Sequence, residues 1–390
     1  MTKPKMIVKT LIIFSKDILY RTIGLVVSIP VILAAPFKVK RFNPDHVGNV
    51  LVFSWGGLGN FMMLLPFLKN LETYLCKAKI FLVTMSKTQH EAISALLPEV
   101  SVVVMPREED HIMSGKRFLA QKLAGINFDL SFHPYLEHTG RSIWWSWFMG
   151  TKMIVGFAPH DVGPWQTVRL KIDARLTEGE NYLKMLRPLD SPINISGKMI
   201  ELKKEIKEHA TAFIGKNLEA SRRIIGFHCG SSALFREKRW DKENFISLVK
   251  SILIRYNDVG VILFFGPDEA DLYPIFVKEF DNTKRVSVIK TNDFALLCGL
   301  LDQIALFVTN DSGLMHLASM MDVPIVSIWG PTDPVKNRPW GKQVDIIRLG
   351  LPCSPCYRVG QDIICTNSTY RECLKNISTA MVFDVIKNRL

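Results

Sequence analysis

The chain has 390 residues, 48% of them hydrophobic, and this length and composition allow two or three domains with substantial cores. Its net charge is +12, and residues 1–48 alone hold eight basic and two acidic residues, a net charge of +6. The sequence contains no zinc-finger, RNA-recognition or cold-shock signature, so we expect no nucleic-acid partner for this positive charge.

The basic N-terminal segment contains an apolar run at residues 22–37, which includes Pro30. A straight span of a bilayer needs about 20 apolar residues, and this run is shorter. Basic residues flank it on both sides, which by the positive-inside rule keeps both ends cytoplasmic. We therefore expect residues 1–48 to form a monotopic or re-entrant anchor at the cytoplasmic face of the inner membrane. The alternative is a helix packed on the protein's own surface.

From residue 49 onward, short apolar runs alternate with helical patterns. A helix is predicted at residues 61–75, and strands are predicted at residues 49–53, 78–85, 100–105, 128–133 and 152–157. Strands separated by helices indicate a parallel sheet with crossover helices.

The alternation breaks at turn-forming clusters in residues 189–197 and then repeats. A charged helix is predicted at residues 199–217 and leads into the apolar run that opens "RIIGFHCGSS" at residues 223–232. That run and the apolar runs within residues 260–269, 285–290, 304–308 and 324–328 are predicted strands. The fold class is therefore α/β, with an N-terminal Rossmann-like domain over residues 49–195 and a C-terminal one over residues 196–390. Ligands of such sheets bind outside the carboxyl ends of the strands.

One helix start in the second half suits a phosphate. Asp311, Ser312 and Gly313 lie between a strand and about two turns of predicted helix. A helix N-terminus has unpaired N–H groups and partial positive charge. Asp311 would repel a phosphate, so it either caps the helix or points past the phosphates to sugar hydroxyl groups. The sequence has no Walker A motif, no complete G-x-G-x-x-G and no D-x-D triplet, so protein donors have to replace a metal ion there.

These motifs resemble a known family. The stretch "NDSGLMHLASMMDVPIVSIWGPTDP" resembles the D-[ST]-G-x-x-H-x-A signature of the bacterial heptosyltransferases, glycosyltransferase family 9. "IIGFHCGSSALFREKRWDKENFISLV" is similar to that family's phosphate loop and K-x-W pattern, "GPDE" to its nucleotide-side turn, and "GLGNFMMLLPFLKNL" to its N-terminal loop. The resemblance covers roughly residues 49 to 390, including the cysteine-containing tail.

The resemblance implies a GT-B fold and inverting sugar transfer from a nucleotide diphosphate, without a metal cofactor. The expected donor is ADP-heptose, and the expected acceptor is the lipopolysaccharide core or another lipid-linked or surface glycan. Five residues would donate to the departing diphosphate; they are Ser231, Ser232, Lys238, Ser312 and Gly313.

Four of the implied roles have alternatives. Asp311 would hold sugar hydroxyl groups or cap its helix, and Glu269 would accept from the ribose or serve as a helix-start carboxylate. Lys238 would bind phosphate or belong to a solvated charge run. His316 would reach the phosphate or pack and bond locally.

The N-terminal loop departs from the family pattern, which usually has Gly-Asp with Asp as the proposed base. This sequence has Gly59 and Asn60, and an amide accepts no proton at neutral pH. Either Glu137, His138 or His133 serves as the base, or the acceptor chemistry differs, or transfer is lost. The alternative functions are a nucleotide-sugar epimerase of the same fold and a non-catalytic nucleotide-sugar binder.

The remaining signals concern cysteine and tryptophan. Four cysteines have the spacing C-x2-C-x8-C-x7-C, which favours free thiols or a disulfide over a structural zinc site; they are Cys353, Cys356, Cys365 and Cys373. The stretch "SIWWSWFMG" is predicted to be a buried helix end, and the alternative places Trp144, Trp145 and Trp147 at the level of lipid headgroups.

Overall fold

A computed structural model of the chain describes residues 43–134, 139–157, 166–195, 198–218, 221–358 and 361–390. The predicted anchor therefore lies outside the described residues up to position 42. Residues 43–48 are described and pack on the first sheet, where Val47 is buried and Asp129 accepts a hydrogen bond from the Gly48 N–H at 2.8 Å. No helix within the described ranges is long and apolar enough to cross a bilayer.

The first half of the chain forms a six-stranded parallel sheet with the order β3-β2-β1-β4-β5-β6. Its central strands are near-continuous apolar runs because crossover helices cover both faces of a parallel sheet. The strands are β1 (Asn49–Ser54), β2 (Lys79–Thr84), β3 (Ser101–Val104), β4 (Leu130–His133), β5 (Met153–Phe157) and β6 (Val168–Leu170).

The second half forms another six-stranded parallel sheet, with the order β9-β8-β7-β10-β11-β12. When the strands are counted within their own half, each sheet has the order 3-2-1-4-5-6. The order therefore reverses once in each sheet, between β1 and β4 in the first and between β7 and β10 in the second. The strands are β7 (Arg223–His228), β8 (Val259–Phe265), β9 (Val286–Lys290), β10 (Leu306–Asn310), β11 (Ile325–Ile328) and β12 (Val344–Ile347).

Helices flank both sheets. Those of the first half are α1 (Leu58–Tyr74), α2 (Lys87–Leu96), α3 (Ile112–Lys122), α4 (Thr139–Phe148) and α5 (Glu178–Leu183). Those of the second half are α6 (Lys204–Asn217), α7 (Lys242–Arg255), α8 (Tyr273–Phe280), α9 (Phe294–Leu301), α10 (Gly313–Met320), α11 (Pro334–Asn337), α12 (Glu372–Lys375) and α13 (Thr379–Lys387).

One apolar core runs across both halves, from the first sheet through α1 and α10 to the inner side of the second sheet. Helix α1 is apolar almost all round, as expected for a helix buried between two layers. A second core lies between the second sheet and the helices α7 and α13. The two sheets are thus joined by a shared core in which α1 and α10 are the central helices.

The helix predicted at residues 199–217 begins later than expected. The N–H groups of Met199 and Ile200 both donate to the carbonyl of Met320, at 2.8 and 3.1 Å. This tertiary pairing keeps them out of the helix, and α6 begins at Lys204. On the other side of the boundary, Asn194 exchanges hydrogen bonds with the side chain of Asn70 in α1. The chain therefore passes from the first half to the second between residues 194 and 199.

Two helical glycines give a stability test of this packing. A Cβ atom at Gly115 in α3 would lie 2.4 Å from Cζ2 of Trp145 and 2.7 Å from the carbonyl of Glu109, whereas a Cβ at Gly215 in α6 would meet nothing within 4 Å. We expect Gly115→Ala to lower the free energy of unfolding by about 1–3 kcal/mol through overpacking. Gly215→Ala should raise it by up to about 1 kcal/mol because alanine favours the helix. Urea midpoints measure both, and equal stability of Gly115→Ala and the wild type would contradict the packing described.

Candidate active site

The N-terminus of α1 meets the N-terminus of α10 between the two sheets. A Cβ atom at Gly313 would lie 3.3 Å from the backbone nitrogen of Gly59, and a Cβ at Gly59 would lie 3.4 Å from the Cα of Gly313. Each helix starts at the carboxyl end of a strand that borders a reversal point. Two partial positive charges and their unpaired N–H groups therefore converge from the two halves, which favours an anionic ligand between them.

Ser312, and not Asp311, caps helix α10. The Ser312 hydroxyl accepts a hydrogen bond from the Met315 N–H at 3.4 Å. Asp311 is buried and instead accepts a hydrogen bond from the Lys238 ammonium at 2.9 Å. Burial opposes ionisation of Asp311, but the Lys238 charge and hydrogen bond outweigh it and hold the pKa of this carboxyl below its usual range. The two side chains form a neutral ion pair at the helix start.

Lys238 is held in place on more than one side. Its ammonium lies 5.3 Å from the ring centre of Phe235 and 5.9 Å from that of Tyr357. Its side chain is only 16% exposed. The stretch that contains it is therefore not a solvated charge run, and the lysine is positioned before any ligand arrives.

The neighbouring Arg239 was not predicted as a site residue, yet it organises the same loop. Its buried guanidinium donates to the carbonyls of Ser231 and Asp268, both at 2.9 Å, and pairs with Asp271 at 3.1 Å. Its only signal in the sequence was its position between Lys238 and Trp240. Arg239 thereby ties the Ser231 loop to the turn after β8.

The two loop serines differ in what they can offer a ligand. The Ser231 hydroxyl is buried, donates to the carbonyl of Phe235 at 2.8 Å and accepts from Arg239 Nε at 3.3 Å. The Ser232 side chain is exposed and accepts only a long hydrogen bond from the Leu234 N–H, at 3.4 Å. Ser231 is thus occupied within the loop, whereas Ser232 stays accessible.

A buried relay links the turn after β8 to the cap of α10. Glu269 accepts from the Gly266 N–H at 2.7 Å, which is the helix-start role, and its other oxygen lies 3.4 Å from His228 Nε2. His228 Nδ1 in turn lies 3.0 Å from the Ser312 hydroxyl. Burial would raise the pKa of Glu269, but its hydrogen bonds with His228 and the Gly266 N–H and the nearby Arg239 hold it below the usual range. His228 was missed in the sequence, although its place at the end of β7 marked it.

The N-terminal loop presents no carboxylate at position 60. The Asn60 side chain accepts a long hydrogen bond from the Gly57 N–H, at 3.4 Å, and thereby caps its own helix α1. The predicted alternatives Glu137 and His138 lie outside the described residues.

The prediction of His133 as a candidate base is wrong. It is buried against Phe53, with hydroxyl groups of three serines at 2.9 to 3.2 Å from its two ring nitrogens. Burial lowers its pKa to about 3. With both nitrogens occupied inside the domain, the ring cannot reach an acceptor hydroxyl.

His316 lies at the contact between the halves. Its Cδ2 atom would be 3.1 Å from a Cβ at Gly59. The ring is buried, and burial lowers its pKa to about 4, so the imidazole is neutral at pH 7. Within the described part of the chain, Nδ1 has no hydrogen-bond partner. The ring packs at the site and keeps one nitrogen available.

The four C-terminal cysteines line one small pocket as free thiols. Burial and the neighbouring thiols raise the pKa values of Cys356 and Cys373. Among the described residues, no group of three or more histidine, cysteine or acidic side chains is arranged to hold a metal ion. The tail also supports the Lys238 loop. The Tyr357 ring packs edge-on against the Phe235 ring, with ring centres 5.4 Å apart.

The buried histidines predict an acid-sensitive fold. His316 has a folded pKa of about 4 against an ordinary 6.5, so below about pH 6.5 the unfolded chain binds a proton that the folded chain does not. The free energy of unfolding should therefore decrease as the pH is lowered below about 6.5, by up to about 1.4 kcal/mol per pH unit for each such histidine. We expect His316→Gln to make the urea-stability profile less steep between pH 6.5 and 5. Parallel profiles for His316→Gln and the wild type would contradict the depressed pKa.

The family model for "Glycosyltransferase family 9 (heptosyltransferase)" matches residues 117–365. A lipooligosaccharide heptosyltransferase 2 of Campylobacter jejuni is 27% identical over 218 residues, a match that covers 54% of this chain and 64% of that relative. The chain thus spans less than two thirds of that relative's length.

Two solved structures show the same fold. A glycosyl transferase family 9 protein from Veillonella parvula has a TM-score of 0.72 at 21% identity, covering 88% of this chain and 97% of its own. ADP-heptose lipopolysaccharide heptosyltransferase II of Escherichia coli has a TM-score of 0.67 at 19% identity, covering 87% and 98%. These similarities confirm the predicted GT-B-like fold. With more than half of its length matched by the family model, the chain belongs to glycosyltransferase family 9, the heptosyltransferase family.

Proposed function

We propose that this protein transfers heptose from ADP-heptose, with inversion and without a metal ion, onto the lipopolysaccharide core or another lipid-linked or surface glycan. The reaction takes place at the cytoplasmic face of the inner membrane. Family membership and the heptosyltransferases among its relatives support the reaction class. The observation that carries the proposal is the neutral Lys238–Asp311 pair at the start of α10.

The pair resolves the conflict between Asp311 and a phosphate. An isolated carboxylate at a helix N-terminus would repel the diphosphate, but here the Lys238 ammonium cancels its charge at 2.9 Å. An ammonium has three N–H donors, so Lys238 can keep Asp311 and also donate to a phosphate oxygen. Asp311 then has oxygen lone pairs left to accept from sugar hydroxyl groups.

The same groups would stabilise the departing ADP. As the bond between the sugar and the phosphate breaks, negative charge grows on the diphosphate. The start of α10 and the buried Lys238 are fixed before this charge develops, so little reorganisation is needed. The accessible Ser232 hydroxyl offers a further donor. The hydrogen bond with His228 holds the Ser312 hydroxyl in place, and that hydroxyl caps the start of α10.

The acceptor side needs a proton acceptor other than residue 60. Asn60 orients a hydroxyl by hydrogen bonding but removes no proton. We assign the base to the loop after β4, which contains Glu137 and His138. The second candidate function, a non-catalytic binder of nucleotide sugars, is favoured by one observation only: the described N-terminal loop has no carboxylate where the family usually has one.

Product analysis with a matched lysine variant tests the reaction. Wild type incubated with ADP-heptose, a deacylated core acceptor and EDTA should give a heptosylated product and ADP by mass spectrometry. We expect Lys238→Ala to lower turnover by about 10²-fold or more, as for loss of one oxyanion donor. Lys242→Ala, whose lysine pairs with the adjacent Glu243, should behave as wild type. Unchanged ADP-heptose that nevertheless binds would favour the binder, and activity restored only by Mg²⁺ would contradict the metal-free mechanism.

Substitutions on the acceptor side test the position of the base. We expect Asn60→Asp to stay within about tenfold of wild type, because another group handles the proton. Glu137→Gln or His138→Ala should cost about 10²-fold or more, the usual contribution of a general base. Rates with the deacylated acceptor across pH 6 to 9 measure this. A large gain from Asn60→Asp with no loss from the other two changes would place the base position at residue 60 and reject the relocation.

A further inference from the structure

Helices α3 and α4 lie side by side on the flank of the first half and expose apolar side chains together with cations. The Trp145 indole donates to the Ile112 carbonyl at 2.9 Å and is buried, so this tryptophan belongs to the core and not to a surface. Met113, Trp147 and Phe148 are 63%, 37% and 44% exposed. We call this surface the aromatic–basic face and define it by Met113, Lys116, Arg117, Trp144, Trp147 and Phe148.

The aromatic rings and a cation are already arranged on this face. Trp144 and Phe148 stack with ring centres 5.6 Å apart, and the Lys116 ammonium lies 3.2 Å above the Phe148 ring. Met113 lies one turn before Lys116 on the same side of α3. A set of exposed large apolar side chains on one surface indicates a contact with another molecule or a membrane.

The charge of the two helices has one sign. Their sequences contain Lys116, Arg117, Lys122 and Arg141 and no acidic residue. Of the acids just before α3, Asp110 is neutralised by Arg141 at 3.0 Å, whereas Glu108 and Glu109 remain in the preceding turn. A partner for this face therefore has to be apolar in its interior and negative at its surface.

The face also lies near the point where the N-terminal segment enters the fold. The Asp129 carboxylate accepts from the Gly48 N–H at 2.8 Å and pairs with the Lys152 ammonium at 2.6 Å. Lys152 follows Phe148, the last residue of α4, by four residues. The first described residues, 43–48, thus lie at the same end of the sheet as the end of α4.

The candidate occupants of this face are residues 1–42, a second copy of the chain and a bilayer, and their charges distinguish between them. Residues 1–42 hold eight basic residues and one acidic residue, so packing them on this face would bring like charges together. A second copy in a two-fold contact would set the same cations against each other. We propose that the aromatic–basic face docks on the anionic surface of a bilayer, with the indole and phenyl rings at headgroup level and the cations toward lipid phosphates. This contact rests on the membrane location proposed above and adds a second attachment in the folded body.

Photo-crosslinking in the full chain separates the occupants. The photoreactive residue p-benzoylphenylalanine replaces Trp147 in one variant and Ile254 of α7, an apolar residue that is 83% exposed, in the control. With vesicles of phosphatidylglycerol and phosphatidylethanolamine, we expect lipid adducts at position 147 and at most a tenth as much at position 254. Adding Lys116→Gln and Arg117→Gln should lower the yield at 147 about fivefold or more, since cations near an anionic surface strengthen the attachment.

Three results would overturn the proposal. They are an adduct between position 147 and residues 1–42, an adduct between two copies of the chain, and equal or absent lipid labelling at positions 147 and 254 on vesicle-bound protein. Transfer to the deacylated acceptor needs no membrane and is measured on the same preparations. Active protein without lipid adducts at position 147 rejects only the docking surface, and inactive protein with those adducts rejects only the sugar transfer.

Discussion

The candidate site depends on the close approach of two helix N-termini, one from each half of the chain. Gly59 and Gly313 allow α1 and α10 to meet backbone to backbone, since a Cβ atom on Gly313 would lie only 3.3 Å from the nitrogen of Gly59. A Cβ atom at either position would require the neighbouring atoms to shift by a few tenths of an ångström. This contact brings the two helix starts together with His316 and the Lys238–Asp311 pair, and the shared core around α1 and α10 holds them there.

Much of the fold follows from the sequence, because the strands of a parallel sheet are apolar runs with clear ends. The predicted strands agree with the structure to within a few residues. The edge strands β6 and β12 were not predicted, since three or four residues of mixed polarity carry no such signal. The start of α6 was placed too early because the Met320 carbonyl that holds Met199 and Ile200 is far away in the sequence.

The site was predicted less completely than the fold. The family motifs identified Lys238 and Asp311, but their pairing across 73 residues is a tertiary fact that no local pattern contains. The same holds for Glu269, whose partner His228 comes from another strand, and for His133, whose three serines become visible only when β4 and α4 are packed. A motif gives the residue type at each position, but the hydrogen-bond partners and burial of a side chain determine its charge and whether it can contact a ligand.

The C-terminal residues have a consequence for synthesis on the ribosome. The carbonyl of Ile377 accepts a hydrogen bond from the Trp240 indole, next to the Lys238 loop, and the carbonyl of Leu390 accepts one from Arg223 at the start of the central strand β7. The first sheet uses only residues up to Leu170, so it can form while the second half is still being translated. The Lys238 loop, in contrast, lacks its neighbouring contact between Trp240 and Ile377 until the C-terminal residues emerge. A nascent chain therefore contains every strand of the first sheet before it contains the C-terminal residues that support the Lys238 loop.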